Sequence, residues 1–114
     1  MSTPEGKVKD MIRVEMLVAF PFCYRFMPVQ NGMGAPGLDF YYCVHGRFIA
    51  IEAKALGKSP TARQYDTIKE IKEAGGTTWV IDSREAFRYA ANVWRNLGLT
   101  QMNFDCSVDP WHPL

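Results

Sequence analysis

Asp39, Glu52 and Lys54 are the residues of this 114-residue chain whose types and spacing suit joint chemistry. Asp39 leads into the run Phe40-Tyr41-Tyr42-Cys43-Val44. After His45-Gly46 comes a second run, Arg47-Phe48-Ile49-Ala50-Ile51-Glu52-Ala53-Lys54. Two aromatic and β-branched runs joined by such a pair predict a β-hairpin with a two-residue turn. Glycine takes positive φ at no steric cost, and histidine is among the residues that tolerate it. With that turn Val44 pairs with Arg47, and the same register sets Asp39 opposite Glu52. Directly opposed carboxylates repel, so stability alone gives no reason for the pairing. A divalent cation between them removes the repulsion. Lys54 lies two residues beyond Glu52, on the same strand face. One acid from one strand, with an acid and a lysine from the next, predicts a hydrolytic metal centre. Hard oxygen ligands suit Mg²⁺, which polarises a phosphoryl oxygen and lowers the pKa of a bound water. The ordinary alternative for Glu52 and Lys54 is a solvated strand end with a surface salt bridge of little worth. Asp39 opposite tips the balance toward function.

The elements that must hold these residues follow from periodicity and end signals. Thr3 is a candidate N-cap and Pro4 suits the first helical position. Val8, Ile12, Met16 and Ala19 then recur on one helical face, and Pro21 stops the helix. Glu5 falls on that apolar face. It is either a carboxylate near the positive end of the helix dipole or a third acid aimed at the site, and spacing alone favours the first. Residues 22–27 alternate as a strand. The glycine-rich connection 28–37 lacks nucleotide-binding glycine spacings and leads straight into Asp39.

Downstream, Thr61-x-x-Gln64 fits a capping box that opens a second helix. Gln64, Ile68 and Ile71 share its inner face, so Gln64 is either a cap residue or an inward-pointing one. Gly75-Gly76 stops this helix. Residues 77–81 read as a strand. Asp82 to Glu85 reads as another capping box, opening a third helix with Ala86, Phe87, Ala90, Trp94 and Leu97 on its core face and Gly98 at its end. The helix between the strands ending at Ala53 and starting at Thr77 makes a β-α-β crossover, which predicts parallel neighbours in a mixed sheet.

Length supports one domain, residues 1–98, with 99–114 as an extension packed on that domain or on a second subunit. Thirteen basic and twelve acidic residues leave a formal charge of +1. That excludes a strongly basic nucleic-acid coat protein, but not a nuclease whose acidic site offsets a basic rim. Cys23, Cys43 and Cys106 are odd in number and widely spaced, which suits reduced thiols in a cytoplasm rather than a disulfide framework or a zinc site. No apolar run reaches membrane-spanning length, and the acidic and basic residues of the first twenty positions do not resemble a secretory signal. An EF-hand-like loop, which a structural Ca²⁺ site would favour, is absent.

In order and spacing, several segments resemble the VRR-NUC family of the PD-(D/E)XK nuclease superfamily, in its small stand-alone phage and bacterial form. They are Pro4-Glu5-Gly6-Lys7-Val8-Lys9, residues 28–34, Gly37-Leu38-Asp39, residues 46–54, Pro60-Thr61-Ala62-Arg63-Gln64 and Gly75-Gly76. An E-x-K triplet alone is weak evidence; the ordered set over roughly residues 3–83 is specific. One departure is plain: the family has proline just before the aspartate, and here Leu38 stands there with Pro36 displaced.

The resemblance implies an α/β fold with a restriction-endonuclease-like core, a mixed β-sheet flanked by α-helices. It implies a Mg²⁺- or Mn²⁺-dependent endodeoxyribonuclease in the cytoplasm, that of the host if phage-encoded. Asp39 and Glu52 would ligate the metal, with the backbone carbonyl of Ala53 and with Glu5 as further ligands. Lys54 would orient the attacking water or stabilise the phosphate. Gln64 matches the glutamine that follows the E-x-K strand, and the resemblance moves Glu5 from the helix-dipole reading to the site. Lys7, Lys9, Lys58 and Arg63 would meet DNA phosphates, although any single one is ordinarily a solvated charge. Such nucleases resemble Holliday-junction resolvases, which implies branched DNA as substrate and a homodimer, because one site cuts one strand. The alternative is a non-catalytic DNA-binding or assembly module that keeps the fold.

Overall fold

A computed structural model describes residues 3–28 and 37–101, with the side chains of 98–101 left out. Its elements run α1 (Pro4–Ala19), β1 (Cys23–Phe26), β2 (Phe40–Val44), β3 (Arg47–Ala53), α2 (Ala62–Glu73), β4 (Thr77–Ile81) and α3 (Arg84–Gln101). The four strands form one sheet in the order β1-β2-β3-β4. The first three are antiparallel in sequence, and β4 joins β3 in parallel. The fold is α/β, a mixed sheet flanked by three helices, compatible with a restriction-endonuclease-like core.

The hairpin has the expected register. Val44 pairs with Arg47, and the pairing continues to Phe40 with Ile51. His45 and Gly46 both take positive φ, +52° and +77°, the twist that a two-residue hairpin turn requires. Alternation along β2 and β3 then separates two faces. Phe40, Tyr42, Val44, Ile49, Ile51 and Ala53 enter one core together with Trp79 and Ile81 of β4. Ile12 and Met16 of α1 and Phe87, Ala91 and Trp94 of α3 cover them. On the opposite face Leu38, Ala50 and Ile68 form a smaller cluster beneath α2, flanked by Tyr41 and Ile71.

The helix starts follow local capping chemistry. The Thr3 hydroxyl accepts from the Gly6 amide at 3.0 Å, with Pro4 in the first turn. At α2 the Thr61 hydroxyl accepts from the Gln64 amide, and the Gln64 side chain accepts in return from the Thr61 amide. Two otherwise unpaired amides are thus satisfied. Gly75, at φ +94°, follows the C-terminal cap of α2.

Four expectations need correction. Residue 22 stands outside β1, which is four residues long and mostly exposed. The cap of α3 is Ser83, whose hydroxyl accepts from the Ala86 amide; Asp82 instead accepts from the Gly57 amide and ties down the loop after β3. Leu97 is exposed, and Ala91 joins Phe87 and Trp94 as a buried position on α3. The helix curves its apolar stripe through Phe87, Ala91 and Trp94 at spacings of four and three, which carries position 97 away from the sheet. Gly98 does not stop α3, which runs on to Gln101; a glycine costs a helix only about 1 kcal/mol, less than the termination expected of it. The expectations for loop residues 29–36 and for residues 102–114 lie outside the described residues.

Candidate metal-assisted hydrolytic site

Where β2 begins and β3 ends, α2 starts over one face of the sheet, and the expected site residues meet there. Strand pairing stops at Phe40, one residue short of Asp39. The predicted Asp39–Glu52 opposition is therefore not a ladder pair. Asp39 sits in a bend, and its Oδ2 accepts from the Ala53 amide at 2.9 Å. This bond holds the carboxylate across the end of β3. Ala53 thereby contributes its amide to the site, while its side chain points into the opposite core.

Glu52 is only 2 % exposed. Gln64 Nε2 donates to its Oε2 at 2.8 Å, and Lys54 Nζ lies 3.5 Å from the same oxygen. The two sequence readings of Gln64 thus hold together. Its carbonyl oxygen caps α2 and its amide nitrogen grips Glu52. The capping box fixes the glutamine's rotamer, and the rotamer aims the amide at the carboxylate. Lys54 is placed by its own amide, which donates to the Ile81 carbonyl at 2.9 Å and extends the β3–β4 pairing past Ala53.

Lys9 of α1 departs from its expected place among the outer cations. Its ammonium lies 3.3 Å from Asp39 Oδ1 and 3.9 Å from Glu5 Oε2. Nothing in the linear sequence marks this pair, because it depends on how α1 crosses the strand ends. Lys7, Lys58 and Arg63 are exposed, as solvated or phosphate-facing cations would be.

The electrostatics are those of a crowded acidic site. Burial, first, and the Asp39 charge, second, push the Glu52 carboxyl up to about 7; Lys54 opposes this and Glu5 adds to it. Glu5 thus acts on Glu52 through its field. Among the described residues no three His, Cys, Asp or Glu side chains are grouped to hold a metal together. A buried Glu52 and a partly buried Asp39, mutually repelling, still fit one class of ion. Mg²⁺ keeps several waters and is held by one or two carboxylates, whereas a structural zinc site needs four protein ligands.

A cleft of about 510 Å³ at the far end of the sheet is lined by Arg47, Phe48, Ile71 and Gly75 among others and includes none of these groups. No helix among the described residues is long and apolar enough to cross a membrane. Compared with models of known protein families and with curated proteins, the chain matches none.

Proposed function

We propose that this protein is a metal-dependent endodeoxyribonuclease that hydrolyses phosphodiester bonds of branched or otherwise structured DNA, as a homodimer. The observation that supports this reading most is the environment of Glu52. A carboxylate 2 % exposed, pushed up to about 7 by burial and by Asp39, is a poor choice for stability. It is a good choice for a cation that would neutralise it. Asp39 and Glu52 would hold Mg²⁺ or Mn²⁺, with the Ala53 carbonyl and waters as further ligands. Bound there, such an ion supplies Lewis acidity toward a phosphoryl oxygen and a water of lowered pKa.

The chain's own residues have separate tasks. The Ala53 amide fixes Asp39, and Gln64 fixes Glu52, so neither carboxylate has to reorganise when substrate arrives. Lys54, an ammonium beside Glu52, orients the attacking water and offsets charge that builds on the phosphate. Lys7, Lys58 and Arg63 face the DNA backbone. A module that only binds DNA has no use for a buried Glu52 beside a second acid, Asp39, which counts against the non-catalytic alternative.

The test is incubation with linear, single-stranded, flap and four-way DNA in Mg²⁺, Mn²⁺ or EDTA. Cutting should require the metal. Asp39→Ala, Glu52→Ala and Lys54→Ala should each lower it by at least about a hundredfold, the scale of a positioned catalytic group, while the circular-dichroism spectrum stays that of the parent. Binding of four-way DNA without any cutting would instead favour the non-catalytic module, and three variants that cut like the parent would refute the site.

A further inference from the structure

Strand β1 is the outer edge of the sheet, and its side chains are unusual for an edge. Phe22, Tyr24 and Phe26 are 86, 70 and 55 % exposed. Tyr24 and Phe26 pair across to Cys43 and Tyr41, on the sheet face that also carries Phe48, Ala50 and Glu52; Phe22 immediately precedes the strand. Sheet edges are ordinarily blunted by charges, prolines or bulges. Here Arg25 is the one charged residue of β1, and it points to the other face.

The backbone of this edge has a definite pattern. Val44 and Arg47 flank a two-residue turn, so they exchange hydrogen bonds. Alternation along β2 then turns Cys43 and Tyr41 toward β1, where they meet Tyr24 and Phe26. The amides and carbonyls of Cys23 and Arg25 are left pointing outward from the sheet.

We infer that β1 is the surface on which two copies of this chain join, antiparallel and edge to edge, with Tyr24 on the two-fold axis. This names the surface for the homodimer reading above and rests on that reading. In this register Cys23 of one copy exchanges hydrogen bonds with Arg25 of the other, so every outward backbone group of the pair is satisfied. Tyr24 faces its own copy, and Phe22 faces Phe26. A shift that set Arg25 against Arg25 would oppose two like charges, and a shift that paired Cys23 with itself would set Phe26 opposite position 20, where Phe20 is buried in the core.

The exposed rings supply much of the area. At roughly 200 Å² per ring the three aromatics offer about 400 Å² in each copy. The pair therefore starts near 800 Å², before Met27 and the strand backbone are added, against roughly 1,200–2,000 Å² for a stable interface. An axis normal to the sheet keeps both copies' Asp39 and Glu52 on one face. Strand spacing and rise put the two sites roughly 30 Å apart in an untwisted eight-stranded sheet, a disposition for acting on two strands of one DNA.

The full chain is examined by size exclusion with light scattering, and a register test follows in a background with all three cysteines changed to serine. The parent should be a dimer and Tyr24→Glu a monomer, with a parent-like circular-dichroism spectrum and a cooperative melt as evidence that it folds. Tyr24→Cys should form an intermolecular disulfide on mild oxidation in most of the protein, since facing residues of a non-hydrogen-bonded pair meet the geometry. Arg25→Cys should cross-link at least tenfold less. A monomeric parent, a dimer that survives Tyr24→Glu, or equal cross-linking of both cysteine variants overturns the inference. None of these readouts involves DNA cutting, so a failed nuclease assay and a failed dimer remain separate results.

Discussion

The two faces of the sheet are built to different standards. On one, α1 and α3 bury a continuous row of aromatic and branched side chains from β2, β3 and β4. Trp79 meets Phe87 edge-on at 5.7 Å, Phe20 meets Trp94 at 5.2 Å, and Glu15 of α1 accepts from Arg84 and Arg88 of α3. On the other, α2 alone among the described elements covers a small cluster around Leu38, Ala50 and Ile68. This second face carries the buried acids at one end and exposed rings at the other. The contrast teaches a division of labour. The closed face holds the chain together, and that surplus allows the open face to keep charge buried and aromatic surface uncovered.

The comparison breaks most visibly at Phe87, which is 1 % exposed in the closed core. Phe87→Ala should cost about 3–5 kcal/mol in denaturant unfolding. A loss near 1 kcal/mol would mean that the closed face is not the main source of stability.

The next effect is a pH dependence from the open face. Below about 4.5, the ordinary value for Glu52, its carboxyl is neutral in both folded and unfolded chains, and its contribution to stability is fully present. As pH rises toward about 7 the unfolded chain ionises first, so the metal-free fold loses relative stability, on the order of 3 kcal/mol in all. Glu52→Gln should remove most of that slope and make the metal-free protein more stable at pH 8 than the parent. Unfolding curves at pH 5 and pH 8 for both proteins decide it.

The smallest effect separates the two tasks of Gln64. Gln64→Ala loses half of the capping box and should cost about 1 kcal/mol. Gln64→Glu keeps an acceptor for the Thr61 amide but sets another acid against Glu52 Oε2. It should melt near the parent at pH 5 and fall below it at pH 8. Equal melting of the two variants at both pH values would separate Gln64 from Glu52.

Local chemistry made much of this legible in the chain. The His45-Gly46 turn set the hairpin register, because a two-residue link leaves no freedom to slip. Thr3, Thr61 and Gly75 marked helix ends through caps that act within four residues. Two of the errors depended on where another element lies. Leu97 has an apolar side chain at a plausible spacing, but the sheet does not reach it. Asp82 is an acceptable cap residue, but the Gly57 amide, 25 residues away, takes its carboxylate. Gly98 looked like a stop because a glycine often is one.

What the sequence by itself determined is the set of elements, the hairpin register and the placing of Glu52 and Lys54 on one strand face, since these follow from period, turn type and capping. Only the tertiary structure decided the rest of the site. It exchanged a ladder pair for the bond from the Ala53 amide to Asp39, brought Lys9 onto Asp39, and joined the cap of α2 to Glu52 through one glutamine. Among the described residues it also left β1 uncovered, since the two helices of the closed face and the single helix of the open face do not reach past it. The reason is distance along the chain. Contacts among α1, β2, β3 and α2 depend on how whole elements pack, and a packing angle leaves no mark in the spacing of residues.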